Sequence, residues 1–123
     1  MAKKVLIIDD SRMSRDMLAQ SLEGCDIQAK SVGDGKQALA ILEKESFDLI
    51  VLDLVLPGLD GFGLLTLFKD LPLAKSTPVI ILSSRDSKEE KQEAKNLGVV
   101  YYMVKHLVHP AEVLKTIQTF LSN

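Results

Sequence analysis

Three runs of four unbroken apolar residues, Val5-Leu6-Ile7-Ile8, Leu49-Ile50-Val51-Leu52 and Val79-Ile80-Ile81-Leu82, each end on a carboxyl or hydroxyl side chain. Runs this short, with no polar break, read as strands buried on both faces, as in the interior of a parallel sheet. The segments between them carry apolar residues at helical spacing. Ser11 is a plausible N-cap for a helix with Met13, Met17, Leu18 and Leu22 on its inner face, ending at Gly24. Ile27 to Val32 is a more polar strand, suited to an edge, and Gly33-Asp34-Gly35 turns into a helix carrying Ala38, Leu39, Ile41 and Leu42. After the central strand, Pro57, Gly58 and Gly61 force a loop. The next helix carries Leu64, Leu65, Phe68 and Leu71 and stops before Pro72. A helix near Ser87 to Leu97 has only Ala94 and Leu97 as apolar anchors. Val100 to Val104 is the fifth strand, and Pro110 opens the last helix, with Val113, Leu114, Ile117, Phe120 and Leu121 as its stripe.

Five strand and helix units in alternation imply parallel strands joined by right-handed crossovers, with helices on both faces. The fold class is a doubly wound, flavodoxin-like α/β sandwich. The order 2-1-3-4-5 follows if the polar second strand is an edge and the first and third are central neighbours; periodicity alone leaves the order open. With no repeat, linker or low-complexity segment, the 123 residues read as one domain over 1–123. A net charge of −2 with interspersed signs argues against a nucleic-acid surface or a polybasic membrane patch. No apolar run is long enough to span a bilayer, and the run after Met1-Ala2-Lys3-Lys4 is too short for a secretory leader. The single cysteine, Cys25, excludes an internal disulfide and suits a reducing compartment, so a cytoplasmic location is expected, with Cys25 a small packing residue.

The residues that close the strands carry the chemistry. Asp9 and Asp10 follow the first strand, Asp53 the third, Ser83 the fourth and Lys105 the fifth. Taken singly, each has a bland role: a helix cap, a loop acid, a lysine whose stem lies along the surface. In the proposed order all of them open on one edge of the sheet, beside the switch point where ligands bind. Three carboxylates together repel and raise at least one pKa. A hard divalent cation relieves this, and Mg²⁺, with oxygen ligands and retained waters, suits the set. Asp53 is then a nucleophile toward a phosphoryl group, giving an acyl phosphate, with Lys105 and Ser83 as donors to the phosphoryl oxygens.

These residues resemble the receiver domain of bacterial two-component response regulators. Asp9-Asp10-Ser11 with Arg15 is similar to the family's acidic pair and helix start. Asp53-Leu54-Val55-Leu56-Pro57-Gly58-Leu59-Asp60-Gly61 is similar to its phosphoacceptor loop, Pro78 through Ser84 to its switch strand, and Gly98 through Lys105 to its fifth strand and lysine. The order 2-1-3-4-5 is that of the family's chemotaxis receivers. The resemblance implies that a histidine kinase or a histidine phosphotransfer protein donates a phosphoryl group to Asp53. It implies Mg²⁺ ligation by Asp10, Asp53 and the Val55 backbone carbonyl, with Asp9 close or acting through water. It further implies a hydroxyl, Ser83, that moves toward the phosphoryl group, an aromatic, Tyr102, that swings inward, and slow autodephosphorylation rather than enzymatic turnover of other substrates. The new charge would switch a partner-binding surface.

One departure matters. His106 stands where the family usually has a proline preceded by a cis bond. A cis bond before a non-proline residue costs about 3–4 kcal/mol, so a trans bond and a remodelled loop are expected here. Val99, Val100 and Tyr101 add apolar surface beside the fourth helix, and His106 and His109 read as solvated loop residues rather than a metal pair. Three other readings compete. A phosphohydrolase would want a second acid two residues after Asp10, where Arg12 stands. A flavin binder would want a phosphate-cradling loop where Asp9-Asp10 would repel phosphate. A degenerate receiver, binding partners without phosphorylation, is disfavoured by the intact acids.

Overall fold

Every strand pair is parallel, and the five strands lie in the order 2-1-3-4-5, as expected. The structure, a computed structural model, describes residues 2–122. In chain order the elements are β1 (Lys4–Ile8), α1 (Arg12–Glu23), β2 (Gln28–Val32), α2 (Gly35–Leu42), β3 (Leu49–Leu52), α3 (Gly61–Phe68), β4 (Val79–Ser83), α4 (Lys88–Asn96), β5 (Tyr101–Val104), a 3-10 turn (Lys105–Leu107) and α5 (Pro110–Leu121).

The pleat sends alternate strand residues to opposite faces, which explains the continuous apolar runs. Leu6, Ile8, Ile50, Leu52 and Ile81 pack against Ala38, Leu42, Leu64, Leu65, Phe68 and Ala94 of α2, α3 and α4. Val5, Ile7, Leu49, Val51 and Ile80 pack against Leu22, Val113, Ile117 and Leu121 of α1 and α5. Burying one such side chain is worth about 1.5–3 kcal/mol. An exposed pair such as Arg12–Asp16 adds well under about 1 kcal/mol. The two apolar layers therefore hold the fold.

Each helix opens on a side-chain cap at the edge where the strands end. The cap oxygens of Ser11, Asp34, Asp60 and Ser87 accept from the backbone N–H groups of Ser14, Gln37, Gly63 and Glu90. His109 caps α5 with Nδ1, which accepts from Ala111 N–H at 3.2 Å.

Several local expectations are corrected. Met13 and Met17 are 74% and 58% exposed; the buried face of α1 runs through Leu22, with Leu18 and Ala19 partly covered. α1 does end at Gly24, its C-cap, which keeps helical backbone at φ −62°; the left-handed reversal comes at Asp26, with φ 61°, as a short polar side chain can make. Cys25 is exposed. Leu71 lies past the end of α3 but still packs on the core, and Ile27 and Val100 sit just outside their strands.

Gly61 is required by space. A Cβ there would fall 2.6 Å from Leu54 Cα and 2.8 Å from Leu54 Cδ2, and Gly61 N–H donates to the Leu54 carbonyl at 3.0 Å. The start of α3 thus presses on the backbone next to Asp53. Gly61→Ala is expected to lower stability by about 1–3 kcal/mol, whereas Gly24→Ala, in helical backbone with only ordinary contacts, should gain about 0.4–1 kcal/mol; urea unfolding of both variants checks the contrast.

Candidate functional site

Strand register brings the closing residues together. Ile8 is level with Leu52, so Asp9 and Asp53 leave the sheet side by side, tied by the Asp53 N–H donating to the Ile8 carbonyl at 2.8 Å. Ser83 is level with Val104, so Lys105 emerges beside the end of β4. Oxygens of Asp9, Asp10 and Asp53 lie within 4.8 Å of one another. Asp9 and Asp53 are 4% and 5% exposed, while Asp10 is exposed and makes no side-chain hydrogen bond or ion pair among the described residues.

Two buried carboxylates this close need a counter-charge. Lys105 Nζ supplies it, donating to Asp9 Oδ2 at 2.7 Å and to Asp53 Oδ2 at 3.0 Å. Burial alone would push the Lys105 ammonium down, but its hydrogen bonds to Asp9 and Asp53 and their charges outweigh this and hold it above the ordinary lysine range. No cis peptide bond occurs among the described residues. Lys105 opens a 3-10 turn, and with His106 following it the lysine still reaches both acids.

The remaining oxygens are mostly engaged. Asp9 Oδ1 accepts from Ser11 N–H at 2.9 Å, and Asp53 Oδ1 accepts from Val55 N–H at 2.9 Å. Val55 itself is exposed at the rim. Ser83 is fully buried, and its Oγ accepts only a long bond, 3.4 Å, from Arg85 N–H. Tyr102 is half-buried against the α2–α4 layer and donates its hydroxyl to the Arg85 carbonyl at 2.8 Å. Burial, followed by the Glu90 charge, raises its pKa. His106 and His109 are exposed, and His109 is committed to its cap.

The acid set fits Mg²⁺. Octahedral oxygens about 2.1 Å from the ion stand about 3 to 4 Å apart, slightly closer than the spread found here, so one acid reaching the ion through water completes the fit.

Four contacts at this edge are not evident from the sequence. Arg15 Nη1 donates to the Asp9 backbone carbonyl at 2.8 Å; its position one turn beyond the cap was the available signal. The loop after Ser83 is latched by the Tyr102–Arg85 bond, by Arg85 Nη1 on Glu90 Oε2 at 3.0 Å and by Lys91 Nζ on Asp86 Oδ1 at 2.6 Å; no periodicity signals these contacts.

Residues 5–118 match the family model described as the response regulator receiver domain. The chain is 35% identical over 102 residues to the transcriptional regulatory protein HprR of Escherichia coli, covering 83% of this chain and 44% of that protein. It is 36% identical over 104 residues to protein PilG of Pseudomonas aeruginosa, covering 83% of this chain and 76% of that one. The chain thus spans less than half of the first relative and about three quarters of the second. Among solved structures, the chemotaxis response regulator CheY4 of Vibrio cholerae superposes with a TM-score of 0.89 at 33% identity, covering 98% of this chain and 99% of that one.

Removing the ammonium should expose the cost of the paired acids. Lys105→Met is expected to destabilise by about 2 kcal/mol, less than the 3–5 kcal/mol of a fully buried pair, with added Mg²⁺ recovering part of the loss. Because the folded pKa of Lys105 is raised, the wild-type advantage should be complete below about pH 10.4, the unfolded lysine value, and fade as pH climbs through the folded value. Urea midpoints of both proteins between neutral and strongly alkaline pH measure it.

Proposed function

Because the chain belongs to the response regulator receiver domain family of two-component signalling, we propose that residues 1–123 form one receiver domain that accepts a phosphoryl group on Asp53 from a histidine kinase or a histidine phosphotransfer protein. The observation that carries this reading is the Lys105 ammonium held between Asp9 and Asp53, with Asp10 open beside them.

In the transfer, an Asp53 carboxylate oxygen forms a bond to phosphorus while the P–N bond of the donor phosphohistidine breaks and its electron pair stays on the imidazole. Asp10, Asp53 and the Val55 carbonyl would hold Mg²⁺, with Asp9 acting through water. Bound there, the ion neutralises charge on the phosphoryl oxygens. Lys105 exchanges Asp53 Oδ2 for a phosphoryl oxygen and keeps its bond to Asp9. Ser83, whose Oγ gives up only a 3.4 Å bond, donates its hydroxyl to another.

Switching follows from what Ser83 is joined to. Its departure releases the Arg85 N–H, and Arg85 carries the carbonyl that Tyr102 holds. A charge near −2 on Asp53 therefore acts on the loop before α4 and on Tyr102 together. Helix α4, whose one buried residue is the small Ala94, is thinly anchored and free to yield. The altered face around α4 and β5 is the surface a downstream partner reads, and water slowly returns Asp53 to the free acid.

Incubation with Mg²⁺ and acetyl phosphate, followed by intact mass, is expected to give one labile phosphate adduct in wild type and none in Asp53→Asn. Lys105→Met should form the adduct with weaker Mg²⁺ dependence of the switch spectrum around Ser83 and Tyr102. Catalytic turnover of a generic phosphomonoester would instead favour a hydrolase.

A further inference from the structure

Asp10 has no side-chain partner among the described residues, so its direction is set by the backbone that carries it. That backbone is the Asp9–Asp10 peptide, and its carbonyl accepts the 2.8 Å bond from Arg15 Nη1. The other polar groups of Asp9 are also held. Its N–H donates to the Val32 carbonyl at 3.1 Å, and its carboxylate receives Ser11 N–H and Lys105 Nζ. Arg15 completes the set by fixing the peptide plane on which Asp10 hangs. Arg15 forms no ion pair among the described residues, so its side chain is not held there by a carboxylate.

Gly33 supplies the second observation. A Cβ built on it would lie 2.9 Å from Arg15 Nη1 and 3.6 Å from Cζ. Its φ is not in the left-handed region, where the described glycines are Gly58 and Gly98, so the backbone itself does not demand glycine. The turn is also pinned: Gly33 N–H donates to Gln37 Oε1 at 2.9 Å, and Asp34 caps α2. A side chain at 33 would therefore push the guanidinium rather than the turn.

We propose that Arg15 is a positioning residue that aims Asp10 into the cation site through the Asp9 carbonyl, and that the absence of a side chain at Gly33 keeps its guanidinium in place. The proposal rests on the reading of Asp9, Asp10 and Asp53 as a Mg²⁺ site. It makes a prediction of sign. The guanidinium's charge repels a cation, so if Arg15 acted only as a charge its removal would tighten Mg²⁺ binding. Acting as a positioner, its removal weakens binding, by about 10-fold, as loss of an outer partner of a metal ligand does.

Mg²⁺ titrations of the full chain, followed through backbone amide NMR signals of residues 9–11 and 53–55, decide between the two. Arg15→Ala is expected to weaken binding. Gly33→Ala, which leaves every charge unchanged, should also weaken it in the wild-type background and have no effect in the Arg15→Ala background. If Arg15→Ala does not fold, Gly33→Ala alone carries the test through the same amides. A wild-type chain that binds Mg²⁺ while Arg15→Ala binds equally or more tightly, or while Gly33→Ala binds as well as wild type, overturns the positioning role and leaves the cation site standing. A wild-type chain that binds no Mg²⁺ removes the site and the proposal together.

Discussion

The ammonium of Lys105 stands between two carboxylates that cannot share a buried corner without it. Its partners lie 96 and 52 residues away in sequence, so this one group closes the ends of three strands into a single site. The same pairing sets the chemistry. Under the proposed function, a lysine already bonded to the Asp53 carboxylate is in reach of a phosphoryl group added there, and its hydrogen bonds to Asp9 and Asp53 hold its pKa above the ordinary lysine range. Structural and functional demands therefore fall on one contact, in a place where a buried charge without its partner is costly.

The sheet makes that contact possible through direction and register. Parallel strands all end on one edge; an antiparallel strand would deliver its closing residue to the opposite rim. The Ile8–Leu52 and Ser83–Val104 pairings then place two acids side by side, and a serine beside a lysine. A slip of one residue would turn a side chain of this set into the core. The apolar layers on both faces oppose such a slip, because each strand residue already has a cavity to fill on its own side.

Around this rigid centre the restraints are uneven. Asp9 is bonded at every polar group, whereas Asp10 depends on the peptide it shares with Asp9. On the other side, Ser83 has one long bond, and the loop beyond it is held by a hydroxyl on a carbonyl and by ion pairs that are substantially solvated. Such pairs contribute little to stability, so this loop and α4 can rearrange while β1 and β3 stay fixed. The phosphoryl switch proposed for this site needs this asymmetry: acids that do not move, and donors that do.

Much of this is legible in the amino-acid sequence itself. Unbroken apolar runs identified the strands, helical spacing identified the layers, and the residues closing β1, β3, β4 and β5 named the site, because a polar residue that ends a fully apolar strand has nowhere to go but the sheet edge. The rotation of α1 was not legible: Met13 and Met17 follow the spacing of Leu18 and Leu22, yet the face that packs runs through Leu18, Ala19 and Leu22 and leaves both methionines in solvent. The reversal at Asp26 rather than Gly24 was equally hidden, since both residues tolerate a turn. Tertiary structure alone decided the aim of Lys105 past His106, the hold of Arg15 on the Asp9 carbonyl through the space at Gly33, and the latch on Arg85. Each depends on where atoms from distant segments arrive in three dimensions, and local periodicity carries no record of that.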